Sequence, residues 1–146
     1  MKLRTLKFKS VKSTNDIAHM LVKKKNIEPT IIFSERQTKG RGTMGKKWIS
    51  LKGNLFLTIC FDISKKRIDF KKFAVLNALL FKNILMKKFS NKIKIKWPND
   101  LLFEGKKICG ILQETVIKSG KKFLIVGVGI NTNFNPNNIS FSSSSL

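Results

Sequence analysis

Apolar and polar positions repeat along this chain with two different periods, and the change of period divides it into strands and helices. Leu3, Leu6 and Phe8 suggest a short first strand. Ser13-Thr14-Asn15-Asp16 reads as a helix start, a hydroxyl cap followed by an acidic first turn. Ile17, Met20 and Leu21 share a face at i, i+3 and i+4, which predicts a core stripe, and His19 falls one position off it, as a surface or boundary histidine. Lys23, Lys24 and Lys25 suit the negative end of the helix dipole, and Asn26 can stop the helix. Residues 30–35 form a strand that feeds a glycine-rich loop, and residues 54–61 form another, with Leu55, Leu57 and Ile59 on one face. Asp69 caps a long helix over 70–89 whose stretch 73–81 is apolar nearly all round, so deep packing is expected.

Beyond it, Ile93, Ile95 and Trp97 alternate with Lys92, Lys94 and Lys96 at strand period two. Pro98 ends that ladder, Asn99-Asp100 form a turn, and Glu104-Gly105 make a tight hairpin. Strands over 107–117 and 123–130 follow, joined at Lys118-Ser119-Gly120. This layout predicts an α+β fold with helices covering one face of a mostly antiparallel mixed sheet. The expected organisation is one domain over 1–132 and a flexible Asn/Ser-rich tail over 133–146, too polar to bury enough surface to order itself.

Composition adds charge to this picture. Thirty basic residues against eight acidic give a net charge of +22, which attracts nucleic acid or anionic metabolites. The lysines are scattered rather than gathered on one helix face, and no zinc-finger or basic-zipper pattern occurs, so specific DNA binding is not expected. Cys60 and Cys109 stand far apart in apolar contexts and read as buried thiols in a reducing compartment. No apolar signal core and no run near the ~18 residues needed to span a bilayer is present, so the expectation is a cytoplasmic protein without a membrane partner. With His19 as the sole histidine, a catalytic triad or multi-histidine metal site is excluded, and no metal site is predicted.

The candidate chemistry gathers in two stretches. Arg36-Gln37-Thr38-Lys39-Gly40-Arg41-Gly42-Thr43-Met44-Gly45-Lys46-Lys47-Trp48 packs three glycines among basic side chains. Glycine permits positive φ and close approach of a ligand, and Arg41 can grip a carboxylate or phosphate with two parallel hydrogen bonds. The spacing also fits a dinucleotide fingerprint, but that motif needs a helix opening on the glycines. Here a second glycine turn and a strand follow, so the fingerprint is rejected, and without Gly-Lys-Ser/Thr so is a phosphate-binding P-loop. The other stretch, Lys96-Trp97-Pro98-Asn99-Asp100, leaves an amide and a carboxylate at the rim of the sheet. Taken alone it is good turn chemistry.

The two stretches, with Gly53-Asn54-Leu55, Lys107-x-x-Gly110-Ile111-Leu112-x-Glu114 and Gly127-x-Gly129-Ile130-Asn131, make a series that resembles the biotin–protein ligases in order and spacing over roughly residues 1–133. The resemblance implies the fold shared by class II aminoacyl-tRNA synthetases and biotin ligase catalytic domains. It also implies a two-step reaction: biotin and ATP, with Mg²⁺, give biotinyl-5′-AMP, and a lysine of a carboxylase biotin carrier domain then takes the biotin. Neither step needs a protein nucleophile, so positioning and charge stabilisation can supply the catalysis.

By the same resemblance, Lys107, Arg41 and Asp100 are the catalytic residues. Ser13, Thr14, Asn15 and Gln37 contact the ureido end of biotin, and Arg41, Gly42, Thr43, Lys107 and Gly110 complete the biotin site. Lys46, Asn99, Asp100 and Asn131 serve the nucleotide, with Asp100 orienting Mg²⁺ or Lys107. Trp48 is expected to anchor the loop by packing, and Gly110, Gly127 and Gly129 to let ligand pass close to the strands. The chain departs from the family at Thr43 and Lys46, where arginines are common, and it ends where the family's catalytic domain usually continues. A lipoate-type acyl-protein ligase and a non-catalytic basic binding remnant are the alternatives, and a homodimer through an exposed sheet edge is left open.

Overall fold

The computed structural model describes residues 3–24, 28–65, 69–136 and 144–146. The elements run β1 (Arg4–Phe8), α1 (Thr14–Lys23), β2 (Thr30–Ser34), β3 (Leu55–Asp62), α2 (Phe70–Lys88), β4 (Ile93–Lys96), β5 (Asp100–Phe103), β6 (Lys106–Lys118) and β7 (Lys121–Ile130). Seven strands form one sheet in the order β1-β2-β3-β7-β6-β5-β4. Only β1 and β2 run parallel; every other neighbouring pair is antiparallel. The last four strands form a meander because short turns join them. Glu104 and Gly105 have φ of 49° and 80°, and Ser119 and Gly120 have 50° and 71°. Positive φ at both central residues matches the twist of the flanking strands.

One helix lies on each face of the sheet, which corrects the expectation of helices on a single face. Along β7, Phe123 and Ile125 pack with Ala18 and Val22 of α1, while Leu124, Val126, Val128 and Ile130 pack with Ala78 and Leu85 of α2. Successive strand residues point to opposite faces, so a doubly covered strand reads as an unbroken apolar run. On β6 the same rule sends Gln113 to Asn77 of α2, 2.6 Å away, and Glu114 to Asn15 of α1, 2.7 Å away.

The helices themselves differ from expectation in detail. Ser13 occupies the N-cap position of α1 but makes no side-chain cap bond. Its buried stripe is Thr14, Asn15, Ala18 and Val22, with Ile17 and Leu21 half-buried beside it and Met20 58% exposed. Asp69 likewise caps α2 by position only. The deep packing expected of α2 is absent: only Ala78 and Leu85 are buried, and Leu76, Leu79, Leu80 and Ile84 lie exposed. The expected stop of α1 at Asn26 lies outside the described residues, and the helix is capped at Lys24.

An irregularity between β5 and β6 decides which side chains reach the α1 face. Leu101 pairs with Cys109 but Leu102 pairs with Lys107, so Ile108 is an extra residue on β6. A bulge of this kind shifts the alternation by one. Ile108 and Cys109 are therefore both fully buried, and Lys107 emerges on the same face as Gly110 and Asp100. The stretch expected to be a flexible tail begins beneath Asn54. Its Oδ1 accepts bonds from the backbone N–H of Thr132, Asn133 and Phe134 at 3.0–3.1 Å, and its Nδ2 donates to the Phe134 carbonyl at 2.6 Å. At the other end, Ser144 N donates to the Lys107 carbonyl and Leu146 N to the Asn131 carbonyl, both at 3.0 Å.

Candidate active site

A cleft opens on the α1 face where β6, β7, the start of α1 and the glycine loop meet. Its enclosed volume is only about 40 Å³, far below that of an open small-molecule site, because the glycine loop and the start of α1 stand close to the strands. Ser13, Thr14, Asn15, Gln37, Arg41, Gly42, Thr43, Asn99, Asp100, Lys107 and Gly110 all line it. Arg41 and Lys107, far apart in sequence, thus share one cavity.

The floor exists because two glycines of β7 leave room for it. A methyl group on Gly127 would overlap the Asn15 amide, and one on Gly129 would overlap the Trp48 indole, as would one on Gly110 of β6. The bare strands therefore accommodate Asn15 and Trp48 directly, where the sequence suggested room for ligand. Trp48 packs as expected and also walls the cleft, with Lys107 Nζ 5.3 Å from its ring centroid, a cation–π distance. Its Nε1 is buried with no hydrogen-bond partner among the described residues.

Polar side chains are held on one wall by a continuous chain of hydrogen bonds. Residues 36–39 run beside 11–12, with Thr38 N donating to the Val11 carbonyl at 2.9 Å and Lys39 N to the Lys12 carbonyl at 2.8 Å. That contact brings Gln37 against α1, where its Oε1 accepts from Thr14 N and Oγ1 at 2.8 and 3.0 Å, while its Nε2 donates to Ser50 Oγ at 3.1 Å. The Thr58 hydroxyl, fully buried on β3, stands 2.8 Å from Thr14 Oγ1 and 2.6 Å from Asn15 Oδ1. Networks of this kind fix side-chain orientation because each buried polar group has a partner to lose.

Charge is arranged in two clusters. On one side Asp100 Oδ1 lies 2.7 Å from Lys107 Nζ, both largely buried. Asn99 is fixed beside them: its Nδ2 donates to the Ile111 carbonyl and its carbonyl accepts from Ile111 N, at 2.8 and 2.9 Å. On the other side Glu114 Oε1 and Oε2 accept from Arg41 Nη1 and Nη2 at 2.9 and 3.0 Å, and Asp16 Oδ1 lies 3.1 Å from Nη2. His19 Nε2 is 3.2 Å from Glu114 Oε2. Burial acts to raise the Glu114 pKa, but the bonds from Arg41, Asn15 and His19 outweigh it and hold the carboxyl below its usual range. The glycine loop closes on itself through a single 3₁₀ turn at Thr43–Gly45, with Gly42 N donating to the Lys46 carbonyl at 2.7 Å.

Two expected nucleotide contacts lie elsewhere. Lys46 is exposed and does not line the cleft. Asn131 is buried outside the lining, with its backbone N–H donating to the Ile108 carbonyl at 2.8 Å and its Nδ2 to the Ser144 carbonyl at 3.1 Å. Sequence reasoning placed Asp16 in the first turn of α1 and Glu114 in the resembling series without giving either a site role, and did not single out Thr58; the structure joins all three to the site. For Glu114 a signal existed: it shares strand parity with Gly110 and Leu112. Among the described residues no group of three or more His, Cys, Asp or Glu could hold a metal ion. Both thiols are buried; burial raises Cys60 to about 11 and Cys109 further.

Fold and cleft together define an α+β protein with a narrow polar cleft lined by two cations, each paired with a carboxylate. Residues 7–131 match the biotin/lipoate A/B protein ligase family. The chain belongs to that family. It is 34% identical over 129 residues to the bifunctional ligase/repressor BirA of Bacillus subtilis, covering 86% of this chain and 39% of that protein. It is similar to the biotin protein ligase from Aquifex aeolicus in complex with biotin and ATP, with a TM-score of 0.80 and 30% identity over 97% of this chain and 59% of that one. The Plasmodium falciparum LipL1 structure in complex with lipoate, at TM-score 0.60 and 14% identity, shares the fold alone. The chain thus spans 39% of the Bacillus subtilis protein and 59% of the Aquifex aeolicus chain, less than two thirds of either.

Proposed function

We propose that this chain is a biotin–protein ligase catalytic domain that joins biotin to ATP, releasing pyrophosphate, and passes the biotinyl group to a lysine of a carboxylase biotin carrier domain. The observation that carries this reading is the convergence of Arg41, Lys107 and the Thr14–Gln37–Asn15 network on one cleft. Thr14, Asn15 and Gln37 suit the amide-like ureido head of biotin. Lys107, held by Asp100, places a fixed positive charge where biotin carboxylate and α-phosphate would meet, and preorganised charge of this sort lowers the barrier to attack. Ser13, Gly42, Thr43 and Gly110 shape the biotin side, and Asn99 the nucleotide side. Mg²⁺ would arrive with the ATP phosphates, and no step is assigned to it.

Incubation of the protein with ATP, biotin and a carrier domain should yield a carrier heavier by one biotinyl group, seen by mass spectrometry. Unmodified carrier with no biotinyl-5′-AMP, from a folded sample, would contradict the proposal. Lipoate in place of biotin tests the acyl-ligase alternative: the ligand that raises the thermal midpoint at lower concentration is the one the pocket fits.

A further inference from the structure

We propose that Glu114 is a positioning residue that latches the glycine loop over the ligand through Arg41 and sets how long the ligand stays, an inference that rests on the ligase reading. Two parts of the molecule meet β6 at its carboxylate. From α1 comes Asn15 Nδ2 at 2.7 Å and His19 Nε2 at 3.2 Å; from the loop comes the Arg41 fork at 2.9 and 3.0 Å. Asp16 of α1 takes the outer side of Nη2 at 3.1 Å. Arg41 therefore spends both terminal nitrogens on protein carboxylates, in the bidentate geometry that makes such pairs strong and directional.

This assignment changes the role of Arg41. The sequence suggests a side chain that grips the ligand's anion, but the geometry makes it the tie between loop and body. The cationic partner for the anion is then Lys107, in the other cluster. Asn15 receives its orientation from the same carboxylate, so loop closure and the polar wall of the pocket share one anchor. Losing that anchor should loosen both together.

The test combines Glu114→Gln with Arg41→Met, a substitution in an exposed loop that leaves the sheet untouched. Two readouts are taken: cleavage of the ligand-free protein by lysyl endopeptidase after Lys46 or Lys47, and biotin dissociation by stopped flow. Each single variant should be cut faster and release biotin on the order of tenfold faster. The double variant should be no worse than Arg41→Met alone, since coupled residues are not additive. Arg41→Lys keeps the charge without the fork and should fall between. In turnover the effect should raise KM for biotin more than it lowers kcat, and circular dichroism should show the sheet intact in each variant.

Additive effects, or wild-type cleavage in both single variants, would overturn the latch while leaving the ligase reading intact. A wild type that binds no biotin, yet shows coupled loop cleavage, would overturn the ligase reading instead.

Discussion

Lys107 shows how much a single residue can depend on one irregularity of backbone. Strict alternation along β6 would send it to the α2 face with Cys109 and Ile111, but the extra residue Ile108 turns it toward Asp100. Substituting Lys107 by Met should lower the rate of adenylate formation by about 10²–10³-fold, the usual cost of removing one preorganised charge. Asp100→Asn should act in the same direction and less strongly; both are read by pyrophosphate release. Glu114 carries a pH prediction. Its folded pKa is depressed, so the stability it contributes is full above the ordinary carboxylate value of about 4.3 and is lost as pH falls through the folded value. The thermal midpoint of the wild type should exceed that of Glu114→Gln at pH 7, and the gap should close as acid is added. A gap that stays the same size as acid is added, down to the acid limit of folding, would contradict this.

At the scale of elements, sequence pattern located nearly every strand and both helices, because alternation and turn residues act locally. The α-helical faces were less legible. Leu76, Leu80 and Ile84 look like core in sequence, yet they are exposed, since only one side of α2 meets the sheet. Leu85→Ala should cost about 2–5 kcal/mol, whereas Leu80→Gln should stay within about 0.5 kcal/mol, both measured by urea unfolding. Equal losses would show that the outer face is packed after all. The glycines of β6 and β7 were visible as sites of close approach, but what approaches them, Asn15 and Trp48, depends on long-range packing no local pattern encodes. The bulge at Ile108 was hidden because Gly110, which often marks a bulge, was read as a point of close approach, and the apolar pair Ile108-Cys109 does not say which residue is the extra one.

The whole molecule couples a strongly cationic surface to one cleft holding its most constrained ion pairs. The charge of +22 explains a general attraction for anions, which salt screens, but it does not select among them. On the proposed reading, selection belongs to the Thr14–Gln37–Asn15 wall and to the two charge clusters that line the cleft. No helix among the described residues is long and apolar enough to cross a membrane. Titration calorimetry with biotin, and then with ATP on the biotin-bound protein, tests the central claim most directly. The account predicts that biotin binds at one site, that ATP binds more tightly once biotin is present, and that Lys107→Met removes this gain. Equal ATP binding with and without biotin, or no heat from biotin at all, would contradict it.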